Sequence, residues 1–159
     1  MEIARQLLIF LLLSITQQTF AECLSDSIGQ VYCSLGECAV DVIGQAHCSR
    51  YRHGGISVNS IGTVVCGKGK CITNNIGQVY CSKYEEGGAA LNGIGQAMCG
   101  VGECVTNSIG QVYCSKVQGG GAAVNNIGQV KCYGGCEQGT NALCESTGQS
   151  YCDSTVGMN

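Results

Sequence analysis

The stretch "CVTNSIGQVYC", residues Cys104–Cys114, contains the pattern from which most of the chain is built. Its second half, Ile-Gly-Gln-Val-Tyr-Cys, recurs from Ile28 and from Ile76, and close variants begin at residues 43, 61, 94, 127 and 147. Successive copies are 15, 18, 15, 18, 15, 18 and 20 residues apart, so the repeating unit has about 33 residues and consists of a short half and a long half. This strict period indicates a repeat architecture rather than disorder, although the chain contains 25 glycines.

Each of the first seven copies carries an Asp or Asn three residues before its glycine, as Asn107 stands before Gly110. Asx at the first position and Gly at the fourth are typical of a type I turn, and the glycine then takes the left-handed conformation of a bulge. The flanking residues are rich in Val, Ile, Thr and Tyr, which suit strands. Each copy therefore predicts a strand, a turn and a second strand.

A one-residue bulge at Gly110 places Asn107 opposite Gln111 and Cys104 opposite Cys114, close enough for a disulfide. The same count predicts the disulfide candidates Cys23 with Cys33, Cys38 with Cys48, and Cys71 with Cys81, besides Cys104 with Cys114. The cysteines left without a cysteine opposite them are Cys66, Cys99 and Cys132. These three pair between repeats, pair with other chains or stay reduced, because sequence alone does not determine connectivity.

Alternation along the strands gives two faces. One carries Cys104, Thr106, Val112 and Cys114, and we expect this small, dry face inside, with Ile and Val filling a thin core. Two all-β architectures fit: a narrow, disulfide-stapled β-solenoid of 15- and 18-residue coils with parallel stacked strands, or a meander of eight short β-hairpins. Hairpins better explain the 10-residue cysteine spacing, whereas coils better explain the recurring Gln and Ile. The solenoid is the preferred prediction.

The chain divides into three predicted segments. Residues 1–21 are typical of a secretory signal peptide, with Arg5, an apolar run over residues 7–15 that is too short to span a bilayer, and a cleavage site after Ala21. The repeat array covers residues 22–132, and residues 133–159 form an atypical C-terminal cap and tail. All 14 cysteines follow the signal, which favours an extracellular, secreted protein with no membrane contact after cleavage.

The sequence offers no catalytic set. The two histidines, His47 and His53, have no recurring acidic partner, and the cysteines form the framework, so we expect no enzyme, no cofactor and no metal. Cysteine pairs such as those in "CSLGEC" have a spacing that zinc ligands can use, but in an exported protein they favour disulfides. A net charge of −3 without a basic stripe argues against binding to nucleic acid.

These features predict a secreted, cysteine-rich, glycine-rich repeat protein with a structural or adhesive role in a matrix, coat or secretion, where self-association or matrix glycans would be its partners. An alternative is an extracellular binding module for a glycan or a protein. Another is a host-defence or toxin-like effector, although a −3 charge speaks against attack on anionic membranes. The candidate binding row for the second reading consists of outward Gln and Tyr side chains: Gln30, Tyr32, Gln78, Tyr80, Gln111 and Tyr113.

Overall fold

The computed structural model describes residues 21–146 and 151–153, so the predicted signal peptide up to residue 20 and the tail from residue 154 lie outside it. The described chain is all-β except for 3-10 conformation at Asn141–Leu143 and at Tyr151. The strands are β1 Glu22–Ser25, β2 Val31–Ser34, β3 Cys38–Val40, β4 Ala46–Ser49, β5 Ile56–Val58, β6 Val64–Cys66, β7 Cys71–Thr73, β8 Val79–Ser82, β9 Ala89–Leu91, β10 Ala97–Cys99, β11 Cys104–Thr106, β12 Val112–Ser115, β13 Ala122–Val124, β14 Val130–Cys132, β15 Cys136–Gln138, β16 Cys144–Glu145 and β17 Cys152–Asp153.

Strands β1 to β14 pair two by two, so the described residues contain seven consecutive antiparallel hairpins. The register is the one counted from the sequence, with Cys104 opposite Cys114 and Thr106 opposite Val112. A solenoid would pair equivalent strands in parallel, whereas every described pair is antiparallel, so the hairpin meander, the alternative prediction, is confirmed. The eighth copy of the phrase lies partly outside the described residues, and its end at Cys152 pairs with β4.

The hairpins stack face to face along the array. The cysteine face of each hairpin packs on the second face of the hairpin before it, as Cys104, Val112 and Cys114 pack against Ala90 and Met98. Equivalent clusters form on Leu24 with Tyr32, on Val65, and on Ile72 with Tyr80. Interior hairpins are therefore covered on both faces, with small side chains of one cysteine face against Leu, Ile, Met, Val or Tyr side chains of the hairpin before it.

Backbone hydrogen bonds also connect successive hairpins at both of their ends. At the turns, the amide of Ser60 donates to the carbonyl oxygen of Gly77 over 3.0 Å. At the links, the amide of Gly88 donates to the carbonyl oxygen of Gly102 over 2.8 Å. Beside the links, the fully buried hydroxyl of Ser82 donates to the carbonyl oxygen of Gly100 over 2.8 Å. These bonds explain how hairpins with such short strands remain in line.

Residues 136–146 and 151–153, which we call the strap, run back along the array instead of adding a further hairpin to its end. Strand β15 pairs with β12, Thr140 bridges to Cys99, β16 pairs with β8, and β17 pairs with β4. The strap thus lies along the second strands of the hairpins, in the direction opposite to their order in the chain. It connects parts of the array that are distant in sequence.

Seven disulfides use all 14 cysteines, each of which lies among the described residues. Four of them close the hairpins between positions ten residues apart: Cys23–Cys33, Cys38–Cys48, Cys71–Cys81 and Cys104–Cys114. The three remaining array cysteines bond to the strap: Cys66 to Cys152, Cys99 to Cys144 and Cys132 to Cys136. Cys66, Cys99 and Cys132, which have no cysteine opposite them in their hairpins, are therefore paired within the chain. None of them is available in this structure for a bond to another molecule.

Candidate functional site

The turns of the seven hairpins form one edge of the array, which we call the turn edge. In each turn the Asx side chain accepts two backbone amides, as Oδ1 of Asn74 does from Ile76 over 3.1 Å and from Gln78 over 2.8 Å. Gly77 between them has a φ of 81°, in the left-handed region that glycine takes without strain. The Asx-x-Ile-Gly-Gln sequence therefore builds the same compact turn each time.

The isoleucine of every turn projects into solvent, which contradicts the expectation that Ile fills the core. Three valines of the phrase do enter the core, since Val64, Val79 and Val112 are buried, whereas Val31 in the first hairpin is 51% exposed. The isoleucines sit at the third position of the turn, beyond the last paired residues, and no neighbouring hairpin reaches over them. Together they form a row, which we call the isoleucine ridge, whose members are 70–85% exposed: Ile28, Ile43, Ile61, Ile76, Ile94, Ile109 and Ile127.

The backbone beneath the ridge already has internal hydrogen-bond partners. In the turn of Asn74, the amides of Ile76, Gly77 and Gln78 bind within the turn, and the amide of Asn75 donates to Gly95 of the next hairpin over 3.2 Å. Most turns need water to satisfy such groups, and burying an unsatisfied amide is costly. Here a partner can cover the ridge and displace water without leaving these amides unpaired.

Charge is distributed unequally between the two ends of the hairpins. The links, which lie at the end opposite the turns, carry charged side chains, and Glu37, Lys70, Glu86 and Glu103 line a shallow groove of about 440 Å³ there. His53 joins this edge, with its Nε2 atom 3.9 Å from Oε1 of Glu86. The seven turns themselves contain only Asx, Ser, Val, Gly, Ile and Gln or Thr, without a lysine or an arginine. The array is therefore amphipathic across its width.

The predicted Gln and Tyr row divides between the surface and the stack. The glutamines at 30, 78 and 111 are exposed, but Tyr32 is 9% exposed, and Tyr80 and Tyr113 are half-buried between hairpins. Each hydroxyl donates to the glutamine of its own hairpin, as Tyr80 does to Oε1 of Gln78 over 3.1 Å. Burial and the nearby carboxylate of Asp26 raise the pKa of Tyr32 above its ordinary value. The structure thus brings each glutamine together with the tyrosine of its own hairpin, and the tyrosine rings pack between hairpins.

Two grooves beside this row repeat with the 33-residue unit. One has a volume of about 520 Å³ and the other about 460 Å³. Equivalent residues line both: Asn74, Tyr80, Gly95, Gln96 and Ala97 in the first, and Asn107, Tyr113, Gly128, Gln129 and Val130 in the second.

In the second hairpin a histidine replaces the tyrosine. Nε2 of His47 lies 2.9 Å from Oδ2 of Asp41, while Oδ1 of Asp41 still accepts the turn amides. The hydrogen bond from His47, helped by the amide of Gln45, holds the pKa of Asp41 below its ordinary value.

No cluster of three or more metal-binding side chains occurs within residues 21–146 and 151–153, and no helix in that part could cross a membrane.

Compared with protein-family models, curated proteins and solved structures, the chain shows no significant match to any of them. Its fold and its candidate site nevertheless define a class: a disulfide-linked, all-β array of stacked hairpins with an isoleucine-bearing edge, whose seven turns contain Asp26 and Asp41 but no lysine or arginine. The sequence contained the signal for the ridge, because a residue between Asx-x and Gly occupies the tip of a type I turn.

Proposed function

We propose that the protein is a secreted, non-enzymatic adhesive or structural protein that attaches to extended apolar surfaces outside the cell through the isoleucine ridge. The single observation that carries this proposal is the exposure of an isoleucine at all seven turn tips. Single exposed apolar residues are ordinary, but seven exposed isoleucines at equivalent positions along one edge suggest an interaction site. The signal-like start of the chain and its seven disulfides support secretion into an oxidising environment.

The shape and charge of the edge favour a hydrocarbon-like surface as its partner. Backbone hydrogen bonds hold most successive turns next to one another, so a flat partner can contact several exposed tips together. Full burial of one isoleucine is worth about 1.5–3 kcal/mol, and partial contacts at seven positions therefore add up to strong adsorption. Without lysine or arginine on this edge, anionic lipid headgroups would not attract it. The charged links would face water.

Adsorption to a methyl-terminated surface, followed with a quartz-crystal microbalance, tests this function. The variant Ile61→Ser, Ile76→Ser, Ile94→Ser and Ile109→Ser should bind at least about tenfold less than the unchanged protein, because each change removes apolar contact area. The matched control, Leu35→Ser with Val117→Ser, removes exposed apolar side chains from the other edge and should adsorb normally. Equal adsorption of the ridge variant and the control would refute the proposal.

A second candidate function, glycan binding, is favoured by the two equivalent grooves beside Tyr80 and Tyr113. Grooves that repeat along an array suit a ligand that itself repeats, and amide side chains beside aromatic rings suit sugars. Changing Gln78→Ala, Tyr80→Phe, Gln111→Ala and Tyr113→Phe together removes polar groups while keeping the rings that pack. Retention on a glycan array should fall at least about tenfold if the grooves bind sugars. Unchanged retention, or no retention of the starting protein, would remove this candidate.

A further inference from the structure

The two end faces of the array differ from all the interior ones because, in the part of the chain that the structure describes, no further hairpin covers them. At the first hairpin the cysteine face is open, and Val31 on it is 51% exposed. At the seventh hairpin the second face is open, with Ala123 and Lys131 exposed. In the interior these two kinds of face always meet each other, as Cys104, Val112 and Cys114 meet Ala90 and Met98. The open ends are thus the two halves of a contact that the chain already makes.

The correspondence extends to the type of hairpin. The fifth and seventh hairpins both have an alanine opposite their cysteine, and Ala123 and Lys131 occupy the positions of Ala90 and Met98. The first and sixth hairpins both have two cysteines, and Val31 occupies the position of Val112. A first hairpin stacked on a seventh would therefore reproduce the junction between the fifth and sixth hairpins, in which Val112 is only 2% exposed.

The hydrogen bonds between the turns have a direction that fits the same arrangement. At the first five junctions, the residue after the Asx donates its amide to the glycine carbonyl of the next hairpin, as Gly93 does to Gly110 over 2.8 Å. At the seventh hairpin Asn126 holds the donor position, and at the first hairpin Gly29 holds the acceptor position. Within residues 21–146 and 151–153 no further hairpin follows the one or precedes the other.

From these observations we propose that copies of this chain associate head to tail, with the first hairpin of one copy stacked on the seventh hairpin of another. Because the two faces are different, the contact is heterologous and each added copy leaves another open end, so that the product is a filament. The isoleucine ridge of one copy then continues into that of the next. This goes beyond the proposed attachment function, which needs only one copy.

Lys131 limits the strength of this contact. Its position corresponds to Met98, whose side chain packs on the following hairpin. The aliphatic stem of a lysine can cover the same area while its ammonium group extends to water at the rim, at some cost in desolvation. The contact is also small, which places it among weak interfaces with dissociation constants from about 1 μM to 1 mM. Association should therefore depend on protein concentration.

Sedimentation of the full chain, produced in a secreting host and checked for intact disulfides, tests the proposal. The average mass should rise with concentration past that of a dimer. Val31→Lys should abolish this rise at the first hairpin, and Ala123→Glu should abolish it at the seventh, each weakening association at least about a hundredfold by placing a charge in the contact. Both positions are exposed in the single copy, so the variants fold. Lys131→Met should strengthen association.

Mixing the two blocked variants gives the sharpest outcome. Val31→Lys retains a working seventh hairpin and Ala123→Glu retains a working first hairpin, so an equal mixture should form a dimer and nothing larger. The four-isoleucine variant of the ridge should assemble like the unchanged protein. The proposal is overturned if the unchanged chain is monomeric at about 1 mM, if either blocked variant still assembles alone, if the mixture stays monomeric, or if the ridge variant loses assembly.

Discussion

The fourth hairpin and the first hairpin contain the same phrase, Ile-Gly-Gln-Val-Tyr-Cys, in different surroundings. Val79 of the fourth hairpin is 4% exposed, whereas Val31 of the first is 51% exposed. The turn and the register are the same in both hairpins. The phrase therefore encodes a hairpin, whereas burial of that hairpin depends on whether another one stacks on its cysteine face.

Removing a disulfide should lower the free energy of unfolding more in the interior of the array than at its first hairpin, and this is the largest effect that we expect. The bond Cys66–Cys152 joins residues 86 apart, and Cys23–Cys33 joins residues 10 apart. In the chain-entropy account, loss of the first bond costs up to about 4.5 kcal/mol and loss of the second about 2.7 kcal/mol at most. Guanidinium unfolding of the two double-alanine variants measures this. A greater loss for the Cys23 and Cys33 variant would contradict the view that the strap holds the interior together.

Gly88 and Gly121 occupy equivalent link positions, one in the interior of the array and one in its last hairpin. Replacing each by alanine compares how closely the hairpins pack at the two places. In the interior, a Cβ added at Gly88 would meet the backbone nitrogen of Cys104 and lie 2.6 Å from the carbonyl oxygen of Gly102. At Gly121, in the last hairpin, its nearest neighbour would be the Glu103 carboxylate at 3.6 Å. Gly88→Ala should therefore destabilise by about 3 kcal/mol, and Gly121→Ala by less than about 0.5 kcal/mol. Thermal unfolding compares them, and similar losses would show that the hairpins are less closely stacked.

Replacing one methyl group of Val79 or Val31 by a hydroxyl tests whether burial of that valine stabilises the fold. Val79→Thr places a hydroxyl in the dry contact with Val65 and should cost about 1–2 kcal/mol. Val31→Thr changes an exposed position and should stay within about 0.5 kcal/mol. Both substitutions keep a β-branched side chain, so strand propensity is matched. If the end of the chain is covered by a second copy, the cost of Val31→Thr should rise with protein concentration, which links this measurement to head-to-tail association.

The smallest effect concerns pH and the second hairpin. Folding holds the pKa of Asp41 below its ordinary value, chiefly through the hydrogen bond from His47. The unfolded chain therefore takes up this proton first as pH falls, so the contribution to stability is present above the ordinary carboxyl pKa of about 4 and is lost on acidification through the lowered one. In Asp41→Asn the turn keeps its Oδ1 acceptor, as Asn59 does in the third hairpin. The melting temperature of this variant should fall less between pH 5 and pH 2 (roughly the range over which paired carboxylates titrate), and an unchanged pH profile would contradict the assignment.

Each eleven-residue module, such as Cys104–Cys114, contains the information for its own turn and strand pairing. The Asx-x-Ile-Gly turn and the opposition of Cys71 and Cys81 depend on contacts within one hairpin. The preferred solenoid prediction arose because recurring Gln and Ile suggested stacked coils. Stacking does occur, but between hairpins, and the recurring glutamine supplies the carbonyl that accepts the amide of the Asx residue, as Gln78 does from Asn74 over 2.8 Å.

The candidate site was predicted less completely. Gln78 and Gln111 lie on the surface as expected. The rings of Tyr80 and Tyr113 are half-buried because they pack between hairpins. The isoleucines, which the sequence predicts in the core, are exposed. A hydrophobic residue usually signals burial, and the rule fails here because the tip of a turn has no neighbour above it. Only the stacking geometry shows that seven such tips line up.

By itself, the sequence determined the all-β character, the turns, the register and the four disulfides within hairpins, because these depend on residues no more than ten positions apart. The tertiary structure alone decided the pairing of Cys66 and Cys99 with the strap, across 86 and 45 residues, and the exposure of the ridge and the two end faces. These features depend on which hairpin lies against which, and nearly identical repeats carry no local information about their neighbours in space.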